Sequence, residues 1–230
     1  MMTVNELREL QAEEIRAKIS AQKALATKLR AEGTYTRRKD SVLAQEIREY
    51  EASTYEQRIL EFSKEITEES VNETITTLSE WRSLKAKEIT FRIVSPGGEC
   101  IAGFALYDYI LSLRSEGIVV NTVALGWAAS MSGILLQAGT KRYIAPNAHI
   151  LIHNLTVQLP DLKLPDIEDE IVFIKMLEKR GTEILAERSK LSLEEIEERM
   201  ERKNWWFGAQ EAVKLGFADS LWPPKRRGKK

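Results

Sequence analysis

From residue 58 onward, short apolar runs alternate with longer stretches in which apolar side chains recur every three or four positions. Residues 58–62 form the first short run, and 89–94 and 118–125 form two more that are rich in β-branched side chains. Runs of this length and composition predict buried strands. Shorter strands are predicted at 143–144 and 149–152. Helical spacing lies between them and predicts helices from 67 or 68 to 83, over 103–115, over 130–138 and over 166–191. Ser192-Leu193-Glu194-Glu195 predicts the start of another helix, because a serine followed three residues later by glutamate can cap both orphan ends of the first turn. Strand and helix alternating in this way predict an α/β fold with parallel crossovers.

Residues 1–57 follow a different pattern. Glu, Lys, Arg, Ala and Leu dominate, with apolar side chains at Leu7, Leu10, Ile15, Ile19, Leu25 and Leu29. This predicts a helical N-terminal extension, broken near Gly33 and resumed from about residue 40 to 50. An amphipathic hairpin packed on its own domain or on a neighbouring subunit is the simplest use for it. The expected organisation is therefore an extension over 1–57, an α/β domain over 58–222 and a basic, disordered tail over 223–230.

Composition narrows the function classes. A net charge of −1 argues against general nucleic-acid binding. Cys100 is the one cysteine, so no intramolecular disulfide can form, which fits a reducing compartment. No apolar run approaches the roughly 18 residues of a spanning helix, and the acidic N-terminus lacks a signal core. A cytoplasmic protein with no membrane partner is expected.

Candidate chemistry centres on Gly126-Trp127-Ala128-Ala129-Ser130-Met131-Ser132-Gly133 and on Asn147-Ala148-His149-Ile150-Leu151-Ile152-His153. Ser130 stands between a β-rich segment and a helical one. Its hydroxyl would sit at a helix N-terminus, where unpaired N–H groups favour developing negative charge. The bland alternative is an N-cap serine. Ser132 lies inside the predicted helix and is the weaker nucleophile. A serine needs a base, and the chain has only two histidines. His153 ends a strand and can reach a site; His149 lies farther from that end and reads as structural or substrate-adjacent. Ser95-Pro96-Gly97-Gly98 follows a strand, where glycine lets backbone N–H groups converge on an oxyanion. The same segment could also be a plain turn. No phosphate-loop pattern is present.

Taken together and in this order, these segments resemble the proteolytic subunit of the Clp protease, a serine peptidase family with the Clp/crotonase fold. Gly103, Tyr107-Asp108, Pro146-Asn147, Asp166-Ile167-Glu168, residues 193–197, Glu211-Ala212-Val213 and residues 216–219 extend the resemblance. It runs from about Arg58 to Leu221. The resemblance implies a spiral of βαβ units, with Ser130 as nucleophile and His153 as general base. The backbone N–H groups of Gly98 and Met131 would form the oxyanion hole. It also implies polypeptide substrates, seven-membered rings that stack in pairs, a separate AAA+ unfoldase, and neither cofactor nor metal.

Three departures stand out. The family's third catalytic residue is an aspartate. Counting back from Glu211 puts Asn204 there, and counting forward from Leu193 puts Lys203 there. Asn204 can accept from an imidazole N–H but cannot offset its charge, a change that costs about 10⁴ in turnover in a serine protease; another carboxylate could serve instead. The segment after His153, residues 154–160, lacks the family's glycines. The long extension replaces the family's short axial loop. Two further readings therefore stand beside a Clp-like endopeptidase: a phage-type capsid-processing protease of the same fold, and a catalytically silent ring subunit.

Overall fold

The computed structural model describes residues 58–156, 163–201 and 204–224, together with Ser20, Ala21, Ala24, Thr27 and Lys28, all five of them helical. The rest of the predicted extension, most of the segment after His153 and the basic end of the tail lie outside the described residues. The chain divides into two units, 1–56 with 83–86 and 57–82 with 87–230. The second unit carries the sheet.

Its elements run β1 (Arg58–Phe62), α1 (Glu68–Ser83), β2 (Glu88–Ser95), α2 (Cys100–Ser115), β3 (Val119–Ala129), α3 (Met131–Leu136), β4 (Lys141–Ile144), β5 (His149–Ile152), α4 (Leu164–Arg188), α5 (Leu193–Met200), β6 (Trp205–Gly208), α6 (Ala209–Leu215) and β7 (Ser220–Leu221). Strands β1-β2-β3-β4-β7 lie side by side in that order, and each neighbouring pair is parallel. The predicted α/β fold of βαβ units is what forms. Among the described residues, the one antiparallel pairing is β5 with β6.

The core sits where the sheet's apolar residues meet the helices. Ile89, Phe91 and Ile93 of β2 are fully buried, as are Val120, Val123 and Ala124 of β3 and Leu106, Ile110 and Leu113 of α2. A strand buried on both faces reads as a continuous apolar run, which is why β2 and β3 were legible in sequence. Each of these side chains larger than Ala124 contributes about 1.5–3 kcal/mol by leaving water.

The Ser192 capping box forms as predicted. Its Oγ accepts from the Glu195 N–H at 3.2 Å, and the Glu195 carboxylate accepts from the Ser192 N–H at 2.8 Å. A polar hub gathers around Arg142 of β4. The buried Arg142 guanidinium donates to Gln137 Oε1 at 2.7 Å, to Gly216 O at 2.7 Å, to the Arg188 carbonyl and to the Asp219 carboxylate. It thereby joins β4, the end of α4, the end of α6 and the approach to β7. Burial alone would raise the Asp219 pKa, but the hydrogen bonds and charge of Arg142 outweigh it and hold the carboxyl below its ordinary value.

Candidate active site

The site begins with a fork in β3. Residues 121–124 of β3 pair with β4, whereas Trp127, Ala128 and Ala129 pair with β5. On the β2 side the register jumps from Ile93–Ala124 to Ser95–Ala128, so Leu125, Gly126 and Trp127 stand against Val94 alone. Gly126, at φ +64°, sits within this bulge. Extra residues on one strand bend and twist it. The bend delivers the chain end at Ser130 to the flank of β5, where the Ser130 N–H donates to Leu151 O at 2.9 Å.

Ser130 itself adopts φ +56° and ψ −129°. That region is nearly closed to residues with a Cβ, and holding a serine there costs on the order of 1–3 kcal/mol. Ser130 is the N-cap of α3, yet its side chain makes no cap hydrogen bond. The N-cap explanation for this serine is thus absent, and its hydroxyl is not spent on the helix. Ser132 is the opposite case. It is fully buried, with Oγ 2.8 Å from Ser95 O and 2.7 Å from Ala129 O.

The Ser95–Gly98 turn lies directly over Ser130. A Cβ on Gly97 would fall 2.7 Å from Ser130 Cβ and 3.1 Å from Met131 N. Gly97 and Gly98 have φ of +97° and +143°. Ile66 bridges to this turn, donating to Gly97 O at 2.7 Å and accepting from Glu99 N–H at 2.9 Å. A Cβ on Gly98 would lie 2.1 Å from Ile66 O, so only glycine permits the approach. The Gly98 N–H has no acceptor among the described residues. Met131 is the first residue of α3, whose leading N–H groups have no partner within the helix.

His153 follows the last residue of β5. It lines the same cleft as Ser130 and Met131, whose other walls include Phe104, Ile134 and Leu185. His149 opens β5 between Trp127 and Gly208, is exposed, and does not line the cleft. Cys100 does line it, but burial pushes its thiol pKa up, the wrong direction for a nucleophile.

Asn204 precedes β6. The β5–β6 ladder pairs His149 with Gly208, Ile150 with Phe207, Leu151 with Trp206 and Ile152 with Trp205. The next residues on the two strands are His153 and Asn204. Asn204 is exposed, and no hydrogen bond joins its side chain to His153 among the described residues. Lys203 lies outside them. Of the five predicted site residues, Ser130, Met131 and His153 line the cleft, while Gly98 and Asn204 do not. Sequence reading missed β6 entirely. Its Trp205-Trp206-Phe207 run was the available signal, masked by its brevity.

A family model described as Clp protease matches residues 44–225. The chain belongs to the Clp protease family. The match starts upstream of Arg58, so it takes in part of the segment that the sequence resemblance left outside. Two relatives named ATP-dependent Clp protease proteolytic subunit 2 are similar to it. That of Chlamydia trachomatis serovar D is 38% identical over 71% of this chain and 80% of its own. That of Tropheryma whipplei is 35% identical over 72% and 91%. The ATP-dependent Clp protease proteolytic subunit 1 of Leifsonia xyli is 35% identical over 71% and 82%. Family membership makes this chain a serine-type peptidase homologue. Among the described residues, no helix is long and apolar enough to cross a membrane.

Proposed function

We propose that the chain is a serine endopeptidase that hydrolyses unfolded proteins or peptides through an acyl-enzyme, inside an oligomeric ring in the cytoplasm. The observation that carries the reading is Ser130: a serine in a strained turn, not engaged in capping its helix, on the wall of the cleft that also holds His153. In the reaction, His153 takes the Ser130 proton as Oγ attacks the peptide carbonyl. The negative charge that forms on the carbonyl oxygen is met by the N–H groups of Gly98 and Met131. His153 then protonates the leaving amine, and water, deprotonated by the same ring, releases the acyl group. Asn204, opposite His153 one step past the β5–β6 ladder, would orient the imidazole by turning its side-chain oxygen toward the ring and accepting from it. Polypeptides would be supplied by an AAA+ unfoldase, and residues 1–57 would serve assembly or targeting.

The test is a serine-directed fluorophosphonate with the adduct mapped by mass spectrometry. The adduct is expected on Ser130, and labelling should disappear in Ser130→Ala and His153→Ala but persist in His149→Ala. An adduct on Ser132 would overturn the assignment. A second reading, a silent ring subunit, is favoured by one feature: the residue after the ladder opposite His153 is an amide rather than a carboxylate. Asn204→Asp separates the two. A working enzyme should gain turnover, because a carboxylate fixes the ring tautomer and stabilises its charge. A silent subunit should gain none.

A further inference from the structure

His153 is held unevenly. On its N-terminal side β5 locks the chain between β3 and β6. On its C-terminal side residues 153–156 belong to no regular element. One described hydrogen bond ties that flank down: the Leu155 N–H donates to Glu178 Oε1 at 3.0 Å, across 23 residues of sequence. Glu178 sits on α4 in a row with Leu177, Gly181 and Leu185 that faces the cleft. Glu178 and Thr182 stand where that row meets a second, polar space lined by Asn154, Lys175, Lys179 and the acidic residues of α5, and the half-buried Glu178 carboxylate reaches from there to the Leu155 amide. No cation among the described residues forms an ion pair with it.

The helix that presents Glu178 is itself fixed to the nucleophile's side of the cleft. Gly181 packs so closely on α3 that a Cβ would lie 2.9 Å from Ile134 Cδ1. Farther along, Arg188 donates to Gln137 O at 3.1 Å and to Gly139 O at 2.8 Å, just beyond the end of α3. A continuous path of packing and hydrogen bonds therefore runs from Ser130 through α3 and α4 to Glu178, and across to the segment behind His153.

We propose that Glu178 is a positioning residue, whose carboxylate holds the Leu155 amide and so sets the distance of His153 from Ser130. This rests on the reading of His153 as the base. The bond joins a backbone N–H to a carboxyl oxygen on a separate helix, and its loss should be felt at the ring two residues away.

The test compares Glu178→Ala with Glu178→Gln in the full chain. Glu178→Ala should slow Ser130 phosphonylation and kcat by about tenfold, leaving KM and the melting temperature nearly unchanged. Glu178→Gln keeps an acceptor oxygen and should restore most of the rate. Hydrogen exchange at the Leu155 amide should accelerate in the alanine variant and stay slow in the glutamine one. Wild-type rates in Glu178→Ala, or an equal loss in both variants, would overturn the proposal. If wild type takes no fluorophosphonate at all, the peptidase reading fails instead. The exchange measurement then still decides the tether, and unaltered exchange in Glu178→Ala would overturn it.

Discussion

Two polar regions flank the short helix α3, and they treat hydrogen-bonding capacity in opposite ways. At its far end, Arg142 is buried and gives its guanidinium to two backbone carbonyls, one amide oxygen and one carboxylate. At its near end, Ser130 holds a costly backbone conformation and leaves the helix uncapped by its side chain. Ser132, two residues on, shows the difference within one turn, since its hydroxyl is spent on two carbonyls in the interior. A saturated polar group ties elements together. A polar group held in strain and unspent, on a cleft wall it shares with His153, suits the nucleophile's role proposed for it. The hub should therefore answer to stability measurements and the turn to activity measurements.

The largest expected effect separates them. Arg142→Met strands several buried acceptors and the Asp219 carboxylate, and should cost about 3 kcal/mol or more in urea denaturation. Ser130→Ala should cost under about 1 kcal/mol while removing labelling and peptide cleavage. If Arg142→Met unfolds at the wild-type midpoint, the contrast collapses.

A finer effect comes from the strain itself. Ser130→Gly admits φ +56° without a Cβ clash, so relief of strain should exceed the added flexibility of the unfolded chain. A net gain of roughly 1 kcal/mol is expected, with activity lost. A glycine variant less stable than Ser130→Ala would show that the turn stores no strain.

The smallest effect is pH dependence in the hub. Asp219 has a folded pKa below its unfolded one, held there by Arg142 against the opposing effect of burial. Its contribution is present in full above the unfolded value of about 4 and fades as pH falls through the folded value. Asp219 is 42% exposed, so solvent screening keeps the contribution modest. Asp219→Asn should flatten this part of the acid-unfolding curve. An unchanged curve would place the acid sensitivity elsewhere.

Much of this was open to a reading of the chain alone. The strand at 58–62 and the helix ending at 83 fall where apolar period and composition put them. The Ser192 capping box formed because its two bonds need only residues three apart. Ser130 and His153 stood out because a site needs a serine, a base and glycines at element ends, and each mark is local. The predicted strand over 118–125 stopped short, because the β3 continuation through Gly126-Trp127-Ala128-Ala129 looks like a turn until β5 lies beside it.

Sequence by itself determined the α/β class, the family and the candidate pair Ser130 and His153, since periodicity, capping and motif order act within a few residues. Tertiary structure alone decided three things. It made β3 change partners from β4 to β5, it spent Ser132 on the core while leaving Ser130 unspent, and it set Asn204 as the residue next in line with His153 on the β5–β6 ladder. The physical reason is common to all three. Strand register and burial are settled by which distant segment supplies the hydrogen-bond partner, and that choice is made only when the whole sheet assembles.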